Sequence, residues 1–270
     1  MALPLDGQIA FITGGASGLG AAFARRLARD GAIIVINDMN ADAAEKIAQE
    51  LGGSTAVFDV TDSSAFDAAV DKTVADYGRL DILINNAGIA PPDAGEKFEE
   101  GVANEMKRMS GDISGMKAMN YLVDLSDENW DRMIKVHLYG AFYGCRAALR
   151  HMQPQRSGAI VNISSVLGLY TNPSAPDYSV AKSSIIALTK AAAYETAHLG
   201  IRVNAVCPGY VDTPLLTPLS ENIKAMITTA IPIGRMARAE ELAEMVRFLV
   251  GPEASYCTGE IISVSGGYHA

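Results

Sequence analysis

The amino-acid sequence predicts an α/β protein, a doubly wound, seven-stranded parallel sheet flanked by helices and folded as a single domain over residues 1–270. Two observations support this prediction. Short apolar stretches of strand length alternate with longer stretches of helical period, and seven such short stretches can be counted. Apolar strands separated by helices are typical of a parallel sheet that is covered on both faces and connected by right-handed crossovers.

The first half of the chain contains three successive strand–helix units and a fourth strand. Runs rich in β-branched and aromatic residues predict these strands at 8–13, 33–38, 55–59 and 82–85. Apolar residues at helical spacing predict the intervening helices at 19–30, 41–51 and 63–77. The same patterns in the second half predict strands at 159–164, 202–206 and 260–264 and helices at 127–152, 178–199 and 239–250.

Two long connections interrupt this alternation, at 89–126 and 209–238. Both follow a strand, and ligands of parallel sheets bind at the carboxyl ends of the strands. Long connections in compact domains are usually functional lids or disordered excursions. Their position favours an insertion at about 91–126 and a substrate lid at about 209–238, both beside the binding site.

Composition excludes several classes of protein. With 49% apolar and 20% charged residues the chain is globular, and its net charge of -9 disfavours nucleic acid and anionic membranes as partners. The sequence has no apolar run of membrane-spanning length and no signal peptide, which predicts a cytoplasmic protein. Cys145, Cys207 and Cys257 lack metal-ligand spacing, so we expect reduced thiols and no metal site.

A glycine-rich turn, TGGASGLG at 13–20, follows the first strand and opens the first helix. Glycine permits positive φ and close approach of a pyrophosphate to the free N–H groups of a helix N-terminus. The alternative is an ordinary tight turn. The residues expected to contact the cofactor here are Gly14, Ser17, Gly18, Leu19 and Gly20.

Asp38 ends the second strand, where a carboxylate can bind a ribose diol and repel a 2′-phosphate. This position favours NAD over NADP as the cofactor. Alternatively, Asp38 caps the following helix. Arg25 and Arg26 on the first helix are the nearest basic residues that could receive an additional phosphate.

Two further motifs end strands at the same edge of the sheet. Asp59 and Val60 after the third strand are candidates to hold the adenine ring, although capping of the next helix explains Asp59 almost equally well. The sequence Asn-Asn-Ala-Gly at 85–88 follows the fourth strand, and small residues there permit close approach of a sugar. We expect Asn86, Ala87 and Gly88 to contact the cofactor.

Tyr178 and Lys182 are four residues apart at the start of a helix, so their side chains share one face. A neighbouring ammonium favours the phenolate, which makes tyrosine a usable acid or base nearer neutral pH. This spacing also arises by chance.

These motifs, together with a serine upstream of Tyr178 and Pro-Gly-x-x-x-Thr at 208–213, appear in the order seen in classical short-chain dehydrogenases/reductases. The chain resembles that family over nearly its whole length, which implies a Rossmann-like fold. The resemblance implies that Tyr178 is the general acid/base, that Lys182 lowers its pKa and binds the nicotinamide ribose, and that Ser165 orients the substrate oxygen. It also implies nicotinamide-end contacts from Pro208, Gly209, Val211 and Thr213.

His137 departs from the family pattern, because it aligns with an asparagine that completes the catalytic set. In the family that asparagine holds a water largely through its backbone carbonyl, which histidine retains. We therefore expect the proton relay to survive and count His137 among the catalytic residues, with an imidazole that could titrate near neutral pH. A packing role without catalytic function is the alternative.

The substrate side of the predicted site is apolar. The lid contains Leu215, Leu216, Pro218 and Leu219, and no Arg or Lys lies between 210 and 223, which disfavours a small charged acid. In the insertion, Phe98, Val102, Met106 and Met109 would form an apolar stripe on one helical face. We expect that stripe to cover the substrate cleft or a neighbouring subunit, or merely to pack on the surface.

Together these observations predict an oxidoreductase that transfers a hydride between NAD(H) and a secondary alcohol or ketone. A hydrophobic 3-hydroxyacyl thioester, steroid or terpenoid-like substrate fits the lid. The alternatives are an NAD(H)-sensing regulatory protein without turnover and an NADP-dependent ketone reductase. The resemblance also implies a homotetramer built through the helices at 127–152 and 178–199.

Overall fold

The computed structural model describes residues 3–91, 94–171, 174–217 and 219–268. In this part of the chain, seven strands form one parallel sheet in the order β3-β2-β1-β4-β5-β6-β7. The prediction of a Rossmann-like, doubly wound sheet is therefore confirmed. The strands are β1 (Ile9–Thr13), β2 (Ile33–Asn37), β3 (Ser54–Ala56), β4 (Ile82–Asn85), β5 (Gly158–Ile163), β6 (Ile201–Pro208) and β7 (Ile261–Val264).

Helices cover both faces of this sheet. They are α1 (Gly18–Arg29), α2 (Ala41–Leu51), α3 (Ser63–Tyr77), α4 (Ala94–Ser110), α5 (Asp127–Ile134), α6 (Gly140–Gln155), α7 (Val166–Leu169), α8 (Pro176–Thr196), α9 (Glu221–Ala230) and α10 (Ala239–Val250). No helix within the described ranges is both long and apolar enough to cross a bilayer.

Alternate residues of the central strand β1 enter two separate cores. Ala10 and Ile12 pack with α1, α2 and α10, whereas Ile9 and Phe11 pack with α3, α6 and α8. Full burial of a side chain such as Ile12 or Phe11 contributes about 1.5–3 kcal/mol relative to exposure. A slip of one residue would exchange the two sets, so the burial of both faces fixes the strand register.

The strand order reverses between β1 and β4, and this switch point positions the site. β1 pairs with β2 on one side and with β4 on the other. Chain segments that leave these carboxyl ends diverge to opposite faces of the sheet and open a crevice between them.

A chain of buried amides links the sheet to α8. Asn85 Nδ2 donates to Asn162 Oδ1 at 2.8 Å, and Asn162 Nδ2 donates to Thr189 Oγ1 at 2.9 Å. Thr189 in turn donates to the carbonyl of Ile185. A buried hydrogen bond contributes about 1 kcal/mol, and removal of one partner costs about 1–3 kcal/mol. These contacts therefore join β4, β5 and the helix that carries Tyr178 and Lys182.

Two predicted elements differ from the structure. The predicted helix at 127–152 is divided, because a π-helical segment (Lys135–Tyr139) separates α5 from α6. Helical periodicity in the sequence does not reveal such a local widening of the turn. Strand β3 ends at Ala56 rather than at residue 59, because the side-chain amide of Asn37 bonds the carbonyls of Ala56 and Phe58.

Each long connection contains a helix, α4 in the insertion and α9 in the lid. Phe98 of α4 packs against a cluster of Ile223, Ile227 and Ile231 in and after α9. The predicted apolar stripe is buried within this chain only near its start, because Met106 and Met109 are 62% and 78% exposed. Only the first part of α4 approaches the rest of the protein on this face. Pro218 of the lid lies outside the described residues.

Candidate active site

A cavity of about 1180 Å³ lies along the carboxyl edge of the sheet. The strand order arranges its lining from Asp38 after β2, through the glycine-rich turn after β1 and Asn86 after β4, to Ser165 after β5. The structure brings nearly all predicted site residues to this cavity: Gly14, Ser17, Gly18, Leu19, Asp38, Asp59, Val60, Asn86, Ala87, Gly88, His137, Ser165, Tyr178, Lys182, Pro208, Gly209, Val211 and Thr213.

Gly20 is the exception, because it does not line the cavity. A Cβ at this position would overlap the carbonyl oxygen of Gly14. Gly20 therefore allows α1 to pack directly beneath the turn rather than contacting a ligand. Gly14 and Gly18 have φ of 60° and 49°, which other residues rarely adopt, and a Cβ at Gly14 would lie 2.9 Å from Ala87 Cα.

Asp38 is held against the glycine-rich turn. Its carboxylate accepts from the backbone N–H groups of Ala16 at 3.2 Å and Asn40 at 3.0 Å. The N-cap of α2 is Asn40, whose side chain accepts from Ala43 N–H, so Asp38 does not cap that helix. Its carboxylate is thus fixed at the cavity wall.

Arg25 and Arg26 of α1 are committed to ion pairs. Arg25 pairs with Glu50 at 2.7 Å, and Arg26 pairs with Asp30 and Glu244 at 2.6 and 2.7 Å. Position 39, next to Asp38, is an exposed methionine that lines the cavity. The two arginines that could have received the additional phosphate of NADP are therefore both paired with carboxylates.

Asp59 and Val60 line the cavity after β3. Asp59 accepts from Thr61 N–H at 2.9 Å, whereas the N-cap of α3 is Asp62. The capping alternative for Asp59 is therefore wrong. Val60 is buried, and a Cβ at Gly140 would lie 3.1 Å from its side chain.

Asn86 fastens the end of β4 to the glycine-rich turn. Its Nδ2 donates to the carbonyls of Thr13 and Gly14, both at 3.0 Å. The hydroxyl of Thr13 accepts from the backbone N–H groups of Asn86 and Ala87 at 3.0 and 3.1 Å. Both segments are thus held in a fixed relation on either side of the switch point.

Ser165, Tyr178 and Lys182 converge from β5 and α8. Ser165 is the N-cap of α7, and its hydroxyl hydrogen-bonds the phenol of Tyr178. Lys182 Nζ lies 5.6 Å from the centroid of the Tyr178 ring and donates to the carbonyl of Ile163 at 2.9 Å. The neighbouring Ser164 instead donates to the carbonyl of Lys182, which supports the choice of Ser165.

Burial dominates the protonation of this group. It raises the pKa of the Tyr178 phenol to about 12, although the hydrogen bond from Ser165 opposes the shift. Burial also lowers the pKa of the Lys182 ammonium to about 7. The shift in the pKa of Tyr178 is opposite in direction to the one that the Tyr–Lys spacing predicts, because desolvation of the phenolate outweighs the hydrogen bond from Ser165.

His137 is buried beside Tyr178, on the π-helical segment. The two rings are perpendicular, with centroids 5.3 Å apart. His137 Nε2 lies 3.2 Å from the backbone nitrogen of Ile89 and 3.0 Å from its carbonyl oxygen. Burial and the nearby Lys182 hold the imidazole pKa well below its usual value. The expectation that His137 titrates near neutral pH is therefore wrong.

The lid begins against both the glycine-rich turn and the last strand. Gly209 N–H donates to the carbonyl of Val264, and a Cβ at Gly209 would lie 2.8 Å from Ser265 Cα. A Cβ at Gly18 would lie 3.6 Å from Thr213 Cβ, so the root of the lid faces the cofactor turn.

Sequence reasoning missed several lining residues. Tyr210 contributes an aromatic wall, and Arg132 and Lys135 add cations from α5 and the π-helical segment. Phe98 of the predicted apolar stripe also lines the cavity. Arg132 and Lys135 occupy polar positions of the predicted helix, and the helical periodicity therefore predicts that their side chains face solvent. The proline-glycine motif before Tyr210 was the available indication for that residue, because it marks the lid root.

The residues along the cavity fit a dinucleotide. A Cβ at Gly14 would meet Ala87 and one at Gly18 would meet Thr213, so the turn presents bare backbone at these positions. A carboxylate is fixed at one end of the cavity, and a phenol and an ammonium lie at the other. Ser17, the N-cap of α1, makes no side-chain cap bond, and the first turn of that helix has no acidic residue. The helix N-terminus can therefore receive an anion.

Two family models together match almost the whole chain. The model described as short chain dehydrogenase matches residues 8–111, and that described as Enoyl-(Acyl carrier protein) reductase matches residues 109–269. Two solved structures are also similar. One, of gox2181, has a TM-score of 0.83 at 30% identity over 99% of this chain and 97% of the other. Another, described as ribose-5-phosphate isomerase from Brucella melitensis, has a TM-score of 0.82 at 33% identity over 99% and 94%.

Curated relatives cover the chain from end to end. The cis-4-hydroxycyclohexanecarboxylate dehydrogenase of Sinomonas cyclohexanicum is 41% identical over 97% of both chains. The 3-oxoacyl-[acyl-carrier-protein] reductase FabG of Thermotoga maritima is 37% identical over 97% of this chain and 98% of its own. With the fold, the glycine-rich turn and the Ser–Tyr–Lys cluster, these matches show that the chain belongs to the classical short-chain dehydrogenase/reductase family and is an oxidoreductase.

Proposed function

We propose that the chain is an NAD(H)-dependent dehydrogenase/reductase that interconverts a secondary alcohol and a ketone on an apolar body. One observation carries the proposal: a single cavity joins the glycine-rich turn and Asp38 to the functional groups of Ser165, Tyr178 and Lys182. One end supplies recognition of a dinucleotide, and the other supplies proton transfer to a carbonyl or hydroxyl oxygen.

The cofactor-binding residues follow the lining of the cavity. The glycine-rich turn would receive the pyrophosphate at the N-terminus of α1. Asp38 would accept hydrogen bonds from the adenosine ribose, and its charge would repel a 2′-phosphate. Asp59 and Val60 would border the adenine. Asn86, Ala87, Gly88 and the lid residues Pro208, Gly209, Val211 and Thr213 would surround the ribose and nicotinamide.

A bound nicotinamide would supply the hydride acceptor for alcohol oxidation and the hydride donor for ketone reduction. In oxidation, the phenolate form of Tyr178 takes the hydroxyl proton while the carbinol carbon gives up its hydride to the acceptor. Since burial raises the pKa of the phenol to about 12, this phenolate is the minor form of Tyr178 in the free chain. Ser165 holds the substrate oxygen through its hydroxyl. Lys182 stabilises the phenolate by its charge, and it needs to be protonated to do so. In reduction, Tyr178 returns the proton to the oxygen.

His137 has a positioning part in this proposal. Its imidazole bonds the backbone of Ile89, next to the cofactor-side residue Gly88, and its ring borders that of Tyr178. A Cβ at Gly88 would lie 2.6 Å from His137 Cε1, so the two residues are in close contact. Since the imidazole stays neutral, we propose that the histidine supports geometry and that its backbone carbonyl serves the proton relay.

The substrate proposal rests on the lid. Within 209–217 and 219–238, the cavity-lining residues are uncharged, and several are leucines. The Sinomonas relative is named for a cyclohexane ring that bears both a secondary alcohol and a carboxylate, and the Thermotoga relative for a 3-oxoacyl ketone. Both names describe an oxygen function beside a hydrocarbon body, which fits this wall. We therefore propose a predominantly apolar substrate such as a cyclic alcohol or 3-hydroxyacyl thioester.

Two measurements test the proposed function. Titration of the purified protein with NAD⁺ and NADP⁺ is expected to show at least about tenfold tighter binding of NAD⁺, on the basis of one charge-assisted contact. Oxidation of cyclohexanol, 4-methylcyclohexanol and a 3-hydroxybutyryl thioester is then followed through NADH absorbance. A preference for NADP⁺ would contradict the role of Asp38, and tight NAD⁺ binding without turnover of any alcohol would favour a sensor.

We also propose a cytoplasmic homotetramer. Exposed apolar side chains on the two long helices supply a surface for subunit contact: Phe142 of α6 and Val180 of α8 are 42% and 44% exposed. Two buried thiols and one half-buried thiol, all unpaired in the described chain, suit a reducing compartment. Light scattering after size-exclusion chromatography is expected to give four times the chain mass of 28.5 kDa.

A further inference from the structure

The insertion before α5 is tied down by its own hydrogen bonds. The hydroxyl of Tyr121 donates to the carbonyl of Lys97 at 2.7 Å. The side chain of Asn104 bonds the backbone of Lys117 twice, at 2.8 and 2.9 Å. Tyr121 and Asn104 are both buried. Helix α4 is therefore supported by the segment that returns from it, independently of the lid.

The first two turns of α4 contribute directly to the cavity. Gly95 and Phe98 line it, whereas Met106 and Met109 near the other end of the helix are exposed. Phe98 packs against Ile223, Ile227 and Ile231, and the hydroxyl of Ser220 at the start of α9 donates to Glu99 at 3.3 Å. The insertion and the lid thus meet over one end of the cavity.

Two aromatic side chains, Phe98 and Tyr210, line the cavity where the insertion and the lid meet. Tyr210 follows the root of the lid, packs against the same isoleucines as Phe98, and lines the same cavity. Aromatic rings are large side chains, so two of them lining one end of a cleft limit the room for a bulky hydrocarbon. Gly95 adds space, since a Cβ there would meet only Leu219, at 3.8 Å.

From this arrangement we propose that Phe98 of α4 is a specificity-determining residue that limits the size of the apolar part of the substrate. The inference rests on the proposed function for the identity of the substrate, a ring-bearing ketone or alcohol. It assigns to the insertion a part of substrate selection that the lid alone does not supply.

The test compares a small and a large neutral ketone, cyclohexanone and 4-tert-butylcyclohexanone. Dissociation constants for both are measured with the full-length protein in the presence of NADH, and kcat/KM values are measured where turnover occurs. Phe98→Ala is expected to shift the affinity ratio toward the large ketone by about tenfold or more, the scale of one or more methylene groups in an apolar pocket. Gly95→Leu, which narrows the same space, is expected to shift the ratio in the opposite direction.

Met109→Ala provides the matched control, because Met109 lies on the same helix and is exposed. We expect the affinity ratio of the two ketones to be the same in this variant as in the parent protein. NADH affinity should be equal in all variants. An unchanged ratio in both Phe98→Ala and Gly95→Leu, or no ketone binding to the parent protein, would overturn the inference. Ketone binding that shifts as expected without turnover would leave the inference standing and contradict the proposed function.

Discussion

The imidazole of His137 lies perpendicular to the phenol ring of Tyr178, with 5.3 Å between their centroids. The histidine occupies a π-helical segment, and π-helical turns occur frequently at functional sites. Its Nε2 faces the backbone of Ile89, so one side chain contacts both the proposed acid/base and the loop after β4.

Replacement of His137 by asparagine tests this positioning. The folded-state pKa of His137 is lowered, so the unfolded chain binds a proton first as the pH falls below about 6.5. The native protein therefore loses up to about 1.4 kcal/mol of stability per pH unit from this residue. We expect the free energy of unfolding of His137→Asn, measured by urea denaturation, to fall less between pH 6.5 and 5 than that of the parent.

The same variant is expected to keep NAD⁺ affinity and most of kcat, because the backbone carbonyl remains. A loss of more than a hundredfold in kcat at every pH would instead assign proton transfer to the imidazole. His151→Asn is the control, because His151 is a surface residue paired with Asp71.

Tyr178→Phe removes the phenolic hydroxyl and keeps the ring contact with His137. We expect kcat to fall by about 10²–10⁴, the usual contribution of a general acid/base, with NAD⁺ affinity changed less than threefold. Steady-state kinetics and cofactor titration measure the two quantities. A Tyr178→Phe variant with full activity would exclude Tyr178 as the proton-transfer group. Tyr77→Phe, distant on α3, provides the comparison.

Lys182→Met tests the electrostatic cost of the buried ammonium. Since burial lowers its pKa from 10.5 to about 7, the unfolded chain holds more protons between pH 7 and 10. The parent protein should therefore gain stability as the pH rises through this window, on the order of a few kcal/mol, and the variant should gain less. The opposing effect of Tyr178 begins only above pH 10, because its folded pKa is raised to about 12. Equal slopes in chemical denaturation would contradict this assignment.

Asp38 is expected to determine cofactor choice by hydrogen bonding and by charge. Asp38→Ala removes both, and we expect the NAD⁺ dissociation constant to rise about 10–100-fold. Asp38→Asn keeps the shape and removes the charge, so NADP⁺ affinity should increase more than NAD⁺ affinity decreases. Calorimetric titration of each variant with both cofactors separates the two effects, and unchanged selectivity would contradict the ribose assignment.

The two glycine substitutions Gly20→Ala and Gly101→Ala should have opposite effects. A Cβ at Gly20 would overlap the Gly14 carbonyl, so the turn must shift, and we expect loss of NAD⁺ binding and of stability. Gly101 lies within α4, and a Cβ there meets no heavy atom within 4 Å. Gly101→Ala should stabilise α4 by about 0.5–1 kcal/mol. Thermal unfolding with and without NAD⁺ measures both outcomes.

The sheet and most of the cavity lining could be predicted from the sequence, because the spacing of apolar residues marks the strands and helices and the glycine-rich turns mark where they end. Strands such as Ile82–Asn85 are apolar runs, and the glycines at 14 and 18 mark a turn with positive φ. The pattern could not reveal the π-helical segment, because one widened turn leaves the apolar spacing almost intact. Nor could it give the pKa direction of Tyr178, since desolvation depends on side chains from distant elements.

The exposure of the second half of α4 could not be predicted from the sequence either. Phe98 and Met109 share a helical face in the sequence, but the surface that the helix packs against extends under only the first of them. Periodicity identifies a face and not its length of contact. The cations Arg132 and Lys135 were missed because a helix read by itself does not show which polar residues border a cleft.

The buried amide chain from Asn85 through Asn162 to Thr189 has a consequence for heat inactivation. Thr189 belongs to the same helix as Tyr178 and Lys182, and its partners lie in two central strands. A shift of that helix that moves Tyr178 and Lys182 would therefore also break the buried hydrogen bonds of Thr189. Loss of turnover and loss of helical ellipticity on warming should therefore coincide at one temperature.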